Sequence, residues 1–143
     1  MTGDISYDPQ NHERMTELRR RKVEGIAADI PELTVDDPTG DAEVLVLGWG
    51  STAGTIRAAA TRVRADGVPV ATAHLRWLNP LPINTNDVVT RYPKVLIPEL
   101  NSGQLALLIR GRYLVDARSF SKVQGLPIWA DDLESAIRRL VDE

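Results

Sequence analysis

The sequence predicts an α/β domain of three layers, α/β/α, built on a mostly parallel sheet of about five strands and preceded by an N-terminal helical arm. Three observations point there. Short apolar runs alternate with helical patterns along most of the chain, which is the order that strand–crossover–strand units produce. The run Val44–Leu47 is apolar without alternation and ends at Gly48, as a strand buried on both faces should. The segment Val35-Asp36-Asp37-Pro38-Thr39-Gly40-Asp41 concentrates turn formers and divides an arm at 1–40 from a body at 41–143.

In the arm, Asp8-Pro9 suits a helix start, with Asp8 as N-cap and Pro9 at the first helical position. Met15, Leu18, Val23, Ile26 and Ala27 then recur on one face, and Arg19-Arg20-Arg21-Lys22 is assigned to the opposite, solvated side. In the body, a helix is expected over 52–66, with Ile56, Ala60 and Val63 inward and Gly67 as its stop. A second strand is expected over 68–73, with Pro69 near its start. The loop Trp77-Leu78-Asn79-Pro80-Leu81-Pro82 is held extended by its prolines. A short helix over 86–91, a strand over 94–98 and a helix over 103–113 carrying Leu105, Leu108 and Ile109 follow. The stretch 114–123 admits one more strand. The last helix opens with Asp131 and Glu134 in a capping-box arrangement and carries Leu133, Ile137, Leu140 and Val141.

Composition narrows the chemistry. The 143 residues hold 17 Lys+Arg against 20 Asp+Glu, a net charge of −3, which does not suit a general nucleic-acid or membrane-surface binder. No apolar run reaches the roughly 18 residues of a membrane span, and the reading is a soluble, cytoplasmic protein. With Cys at 0 and His at 2, thiolate nucleophiles, cysteine-held iron–sulfur clusters and multi-histidine metal sites have no ligands here.

Ligands and partners of an open parallel sheet meet the carboxyl ends of its strands. That rule selects Gly48, Trp49, Gly50, Ser51 and Thr52 after the first strand, His74 and Arg76 after the second, and Glu99, Asn101 and Gln104 after the third. The glycine-rich turn departs from a dinucleotide fingerprint, since its spacing is G-x-G-x-x-x-G and His74 stands where an acidic residue would end the second strand. It reads either as a strand-to-helix turn capped by Ser51 or Thr52, or as a contact for an anion or partner loop. Arg76 and Trp77 fit an interface or the lip of the core. Glu99 follows a buried strand and needs a partner or ligand there, and Asn101 or Ser102 can cap the next helix. Asp131-Asp132 is explained by a helix N-terminus without a cation. No catalytic residue and no metal ligand is assigned.

Taken together, the glycine-rich turn, Arg76…Leu78-Asn79-Pro80-Leu81-Pro82 and Lys94-Val95-Leu96-Ile97-Pro98-Glu99 resemble the C-terminal domain of transketolase-like thiamine-diphosphate enzymes. Within that superfamily, Glu99-Leu100-Asn101-Ser102-Gly103-Gln104-Leu105 resembles the alpha subunit of 2-oxoacid:ferredoxin oxidoreductases, and Asp8-Pro9…His12…Met15…Arg19…Lys22 is similar to the stretch leading into this domain. The resemblance covers nearly the whole chain. It implies an enzyme that decarboxylates a 2-oxoacid on thiamine diphosphate with magnesium, sends electrons through an iron–sulfur cluster to ferredoxin and hands the acyl group to coenzyme A. Its substrate would be 2-oxoglutarate first and pyruvate second. A Gly-Asp-Gly…Asn diphosphate motif is missing, so the chain is expected to be a non-catalytic C-terminal piece, with Met1 an artificial or internal start. Its implied partners are the beta subunit and the upstream alpha-subunit domains, and its cofactors are none of its own. Other readings are a small-ligand or nucleotide module using Gly48–Gly54, or the equivalent domain of another thiamine enzyme. The amphipathic arm also predicts self-association of the isolated chain.

Overall fold

The computed structural model describes residue 3 and residues 5–143; Met1 lies outside the described residues. Helix α1 (Pro9–Gly25) begins as its sequence requires, with Asp8 Oδ1 accepting from the Gln10 amide at 3.0 Å and Pro9 in the first turn. It runs into a 3-10 turn, Ile26–Asp29. None of its residues is buried, and Met15, Leu18, Val23 and Ile26 all remain more than a third exposed. The placement of its basic run needs correcting. Arg20 and Arg21 lie on the far side and pair with Glu17 and Glu24. At about 100° per residue, however, Arg19 and Lys22 fall within the arc of the apolar stripe.

The stretch after the arm is not only a turn. Ile30 and Leu33 are buried, Asn84 holds the Leu33 backbone through both its amide nitrogen and its oxygen, and Val35–Asp36 forms strand β1. The other strands are β2 (Val44–Trp49), β3 (Ala71–Leu75), β4 (Lys94–Glu99) and β5 (Ala117–Ser121). Their order is β1-β3-β2-β4-β5, with β1 antiparallel to β3 and every other pair parallel. The expected sheet of about five mostly parallel strands is therefore present, and β5 falls within 114–123.

Helices α2 (Ala53–Ala65) and α5 (Ala130–Asp142) cover one face, and α3 (Thr85–Arg91) and α4 (Gln104–Tyr113) cover the other. The division follows strand alternation. Val44, Val46 and Leu96 point toward Ile56, Val63, Leu133 and Ile137, while Leu45, Leu47 and Ile97 point toward Val89, Leu105 and Ile109. Each such fully buried aliphatic side chain contributes about 1.5–3 kcal/mol.

Four local expectations give way to the structure. Strand β3 starts at Ala71 rather than Val68, because the Val70 carbonyl accepts from the Arg64 guanidinium (2.9 and 2.8 Å) instead of from a neighbouring strand. Leu108 is half exposed, and Ala106 takes its place on the inner face of α4. Trp129 precedes the first turn of α5, so Asp131 and Glu134 form no capping box. Asp131 instead pairs with Arg62, and Glu134 with Arg138 at 2.9 Å. Thr52 stands at the head of α2 without capping it.

Candidate functional site

The connections place the site. The chain leaves β2 toward β3 on one side, then returns past β2 to form β4 on the other. A crevice opens where the direction reverses, outside the carboxyl ends of β2 and β4. It is a cleft of about 340 Å³ lined by Trp49, Gly50, Ser51, Thr52, Leu100, Asn101 and Gln104.

The β2 wall is a tight turn. A Cβ on Gly48 would fall 2.2 Å from Ile56 Cδ1, 2.9 Å from Thr52 Oγ1 and 3.1 Å from His74 Nδ1, so only glycine fits between these groups. Gly50 has φ +59°, a conformation that glycine adopts without strain. Thr52 Oγ1 donates to the Trp49 carbonyl at 2.8 Å and accepts from the Trp49 amide at 3.2 Å. The hydroxyl thereby closes the turn on itself, which is why it does not cap α2. Ser51 is exposed at the lip.

The β4 wall is organised by a carboxylate. Glu99 is fully buried, and its two oxygens accept from the Leu105 amide at 2.9 Å and the Ala106 amide at 3.1 Å. Trp49 Nε1 donates to the same carboxylate at 3.4 Å, joining the two walls. Asn101 Oδ1 accepts from the amides of Gly103 (2.8 Å) and Gln104 (3.1 Å). Four donors at the head of α4 are thus held by side chains of the protein itself. A negative charge at this end is also favoured by the helix dipole. The arrangement can hold the two turns rigidly together. It offers no second carboxylate, nucleophile or imidazole to Glu99 for proton transfer.

His74 and Arg76 lie elsewhere. His74 pairs in register with Gly48, and its Nδ1 is buried without a hydrogen-bond partner among the described residues. Burial pushes the imidazole below its usual range. The Gly50 backbone opposes this, and the Arg76 charge adds to it. Arg76 and Trp77 share with His74 a separate cleft of about 220 Å³ bounded by Pro31, Thr34 and Pro82. Six of the ten sequence-selected residues therefore line the crevice, Gly48 and Glu99 support it from within, and His74 and Arg76 face another opening. Leu100, which lines the crevice, and Asn84, which holds the Leu33 backbone, are residues that the sequence does not mark. A leucine between Glu99 and Asn101, and an asparagine just after Pro82-Ile83, carry no signal that separates them from ordinary loop residues.

The donor set does not suit the groups a thiamine enzyme needs. The sequence has no cysteine for a cluster, and no three of the described His, Asp and Glu residues come together around a cation position. Asp131 and Asp132 are engaged by Arg62 and Lys122.

Fold and crevice together define a doubly wound α/β domain whose strand ends are braced rather than armed. A split-gene transketolase shares this architecture, with a TM-score of 0.58 over 76% of this chain and 41% of that one at 13% identity. Residues 42–126 match pyruvate:ferredoxin oxidoreductase core domain II, and the chain belongs to that family. It is 55% identical to the 2-oxoglutarate oxidoreductase subunit KorA of Mycobacterium tuberculosis over 137 residues, 96% of this chain and 21% of the relative. A 2-oxoglutarate:ferredoxin oxidoreductase from Magnetococcus marinus, solved with 2-oxoglutarate, coenzyme A and succinyl-CoA bound, superposes with a TM-score of 0.86 at 30% identity. That match covers 98% of this chain and 25% of that one. The chain thus spans about a quarter or less of the length of these relatives. The resemblance to 2-oxoacid:ferredoxin oxidoreductase alpha-subunit domains is borne out, and the transketolase-like expectation is borne out as a fold. No helix among the described residues is long and apolar enough to cross a membrane.

Proposed function

We propose that this chain serves as a non-catalytic structural domain in the alpha subunit of a cytoplasmic 2-oxoglutarate:ferredoxin oxidoreductase. The whole enzyme decarboxylates its 2-oxoacid on thiamine diphosphate with magnesium, passes electrons through an iron–sulfur cluster to ferredoxin and delivers the acyl group to coenzyme A. The reacting groups come from the upstream alpha-subunit domains and the beta subunit. Identity of 55% across 96% of the chain supports 2-oxoglutarate over pyruvate.

One observation carries the structural role. The fully buried acid at the strand ends, Glu99, bonds two amides of its own helix and the Trp49 indole, so it fixes a turn instead of meeting a substrate. The crevice from Trp49 to Gln104, and the opening beside His74 and Arg76, are then contact surfaces for neighbouring domains. Tryptophan and arginine at such lips are the side chains that binding hot spots favour.

The test is reconstitution. The chain alone, given 2-oxoglutarate, coenzyme A, thiamine diphosphate and a viologen acceptor, is expected to reduce nothing. The complex of alpha and beta subunits should lose assembly and acceptor reduction when residues 41–143 are deleted. Turnover by the isolated chain, or an intact and active complex without those residues, would overturn the reading.

A further inference from the structure

We propose that the outer face of α4 is a docking surface for a helix from another part of the enzyme complex, one that presents an apolar stripe bordered by carboxylates. This deepens the alpha-subunit reading and rests on it.

Helix α4 is apolar on two sides. Leu105, Ala106 and Ile109 are buried against the sheet. On the other side, Leu107 is 68% exposed, Leu108 43% and Leu114 89%. Leu107 and Gly111 stand one turn apart on one line along the helix, Leu108 broadens it, and Leu114 stands just beyond its C-terminal end. A helix with apolar side chains on a second side has more apolar surface than this sheet covers. That spacing is also how a helix presents anchors to a partner.

Two details show that the stripe is built for contact. Leu114 ends the helix at φ +55°, the single described non-glycine residue in the left-handed region. Helices commonly stop there with glycine, which meets no Cβ penalty. A stop alone would be better served by glycine, and a leucine so exposed gains nothing from this protein's own core. Strain of this kind persists where the side chain is needed. Gly111, on that line, has open space around its Cβ position, so a second helix can approach the backbone closely.

The flanking charges choose the occupant. At about 100° per residue, Arg110 and Arg112 lie on opposite sides of the line. Neither forms an ion pair with any described carboxylate, although Arg112 stacks over the Tyr113 ring at 5.7 Å. A second copy of this chain, packed α4 to α4 about a two-fold axis, would bring guanidinium groups against their own kind. A different partner with Asp or Glu beside its apolar stripe satisfies both flanks.

The experiment is association of this chain with a complex of the upstream alpha-subunit segment and the beta subunit, followed by interferometry and ultracentrifugation. Leu107→Asp should weaken association about tenfold or more while leaving the melting temperature of the isolated chain nearly unchanged. The pair Arg110→Gln and Arg112→Gln should weaken it at low salt and remove most of its salt dependence. Leu114→Gly should act with opposite signs, raising the melting temperature of the isolated chain by about 3 °C while weakening association several-fold. Equal association by all variants would overturn the α4 surface and leave the alpha-subunit reading standing. Failure of the unsubstituted chain to associate would overturn both. A dimer of the isolated chain that these substitutions dissolve would show a second copy as the occupant and also overturn the proposal.

Discussion

Helices α5 and α1 both carry a periodic apolar stripe in the sequence, yet the fold treats them in opposite ways. Over 13 residues, α5 buries Leu133, Ala136, Ile137 and Leu140 against α2 and the sheet. Over 17 residues, α1 buries none. What separates them is the availability of a partner inside this chain. The α5 stripe meets Val44, Val46, Leu96 and the face of α2, all on the same side of the sheet. The described part of the chain packs no such face against α1. The periodicity of a helix states that it needs cover, and the rest of the chain decides whether the cover is local. The solved relative matches over 98% of this chain, which must include α1, within a polypeptide about four times as long.

The contrast can be broken most forcefully at α5. Ile137 is fully buried, and Ile137→Ala should cost about 2–5 kcal/mol of folding free energy, read by urea denaturation of the isolated chain. A cost below about 1 kcal/mol would mean that α5 is held no better than α1. Helix α4 offers an intermediate case, fixed at its head by Glu99. Glu99→Ala leaves the amides of Leu105 and Ala106 buried without their acceptor, so a loss of about 2–3 kcal/mol is expected in the same measurement. Hydrogen exchange should show the first turn of α4 opening before its middle.

A smaller effect separates the β3 end from both helices. Burial holds the His74 imidazole below its usual value of 6.5, so the fold favours the neutral ring. The unfolded chain takes up a proton as pH falls through that value. Stability present above it is then lost as pH falls on toward the lower folded value. The melting temperature should drop as pH falls below about 6.5, and His74→Gln should flatten that drop by a degree or two. The smallest expected effect returns to α1. Leu18→Ser should change the stability of the isolated chain by less than about 0.5 kcal/mol, since α1 buries none of its residues. It should reduce any self-association of the chain seen in ultracentrifugation.

The parallel core was legible because β2 and β4 are buried on both faces and therefore read as unbroken apolar runs. Strand β1 was not. Two residues have no periodicity, and Asp36 is kept in place by Arg64 from 28 positions away. The same arginine hides the start of β3 by taking the Val70 carbonyl. At the crevice, the residue types after each strand were readable from the rule that loops at the carboxyl ends face ligands and partners. Their roles were not, because whether Glu99 reacts or braces depends on Trp49, fifty positions earlier, and on amides whose direction only the folded helix sets. Likewise, Asp131 and Glu134 fit a capping pattern until Arg62 and Arg138 claim them.

The two outermost strands limit how copies of this molecule can join. On one flank, the short antiparallel β1 occupies part of the free side of β3, and the Arg64–Asp36 pair pins it there. On the other, Arg118 near the start of β5 is drawn to Asp116 and Glu143, which sets charge along the last open backbone. A sheet finished in this way resists growth by strand addition, the route that leads folded domains into fibrils. Any stable union must then be made through side chains on helices and loops, where a specific companion can be told from a chance encounter.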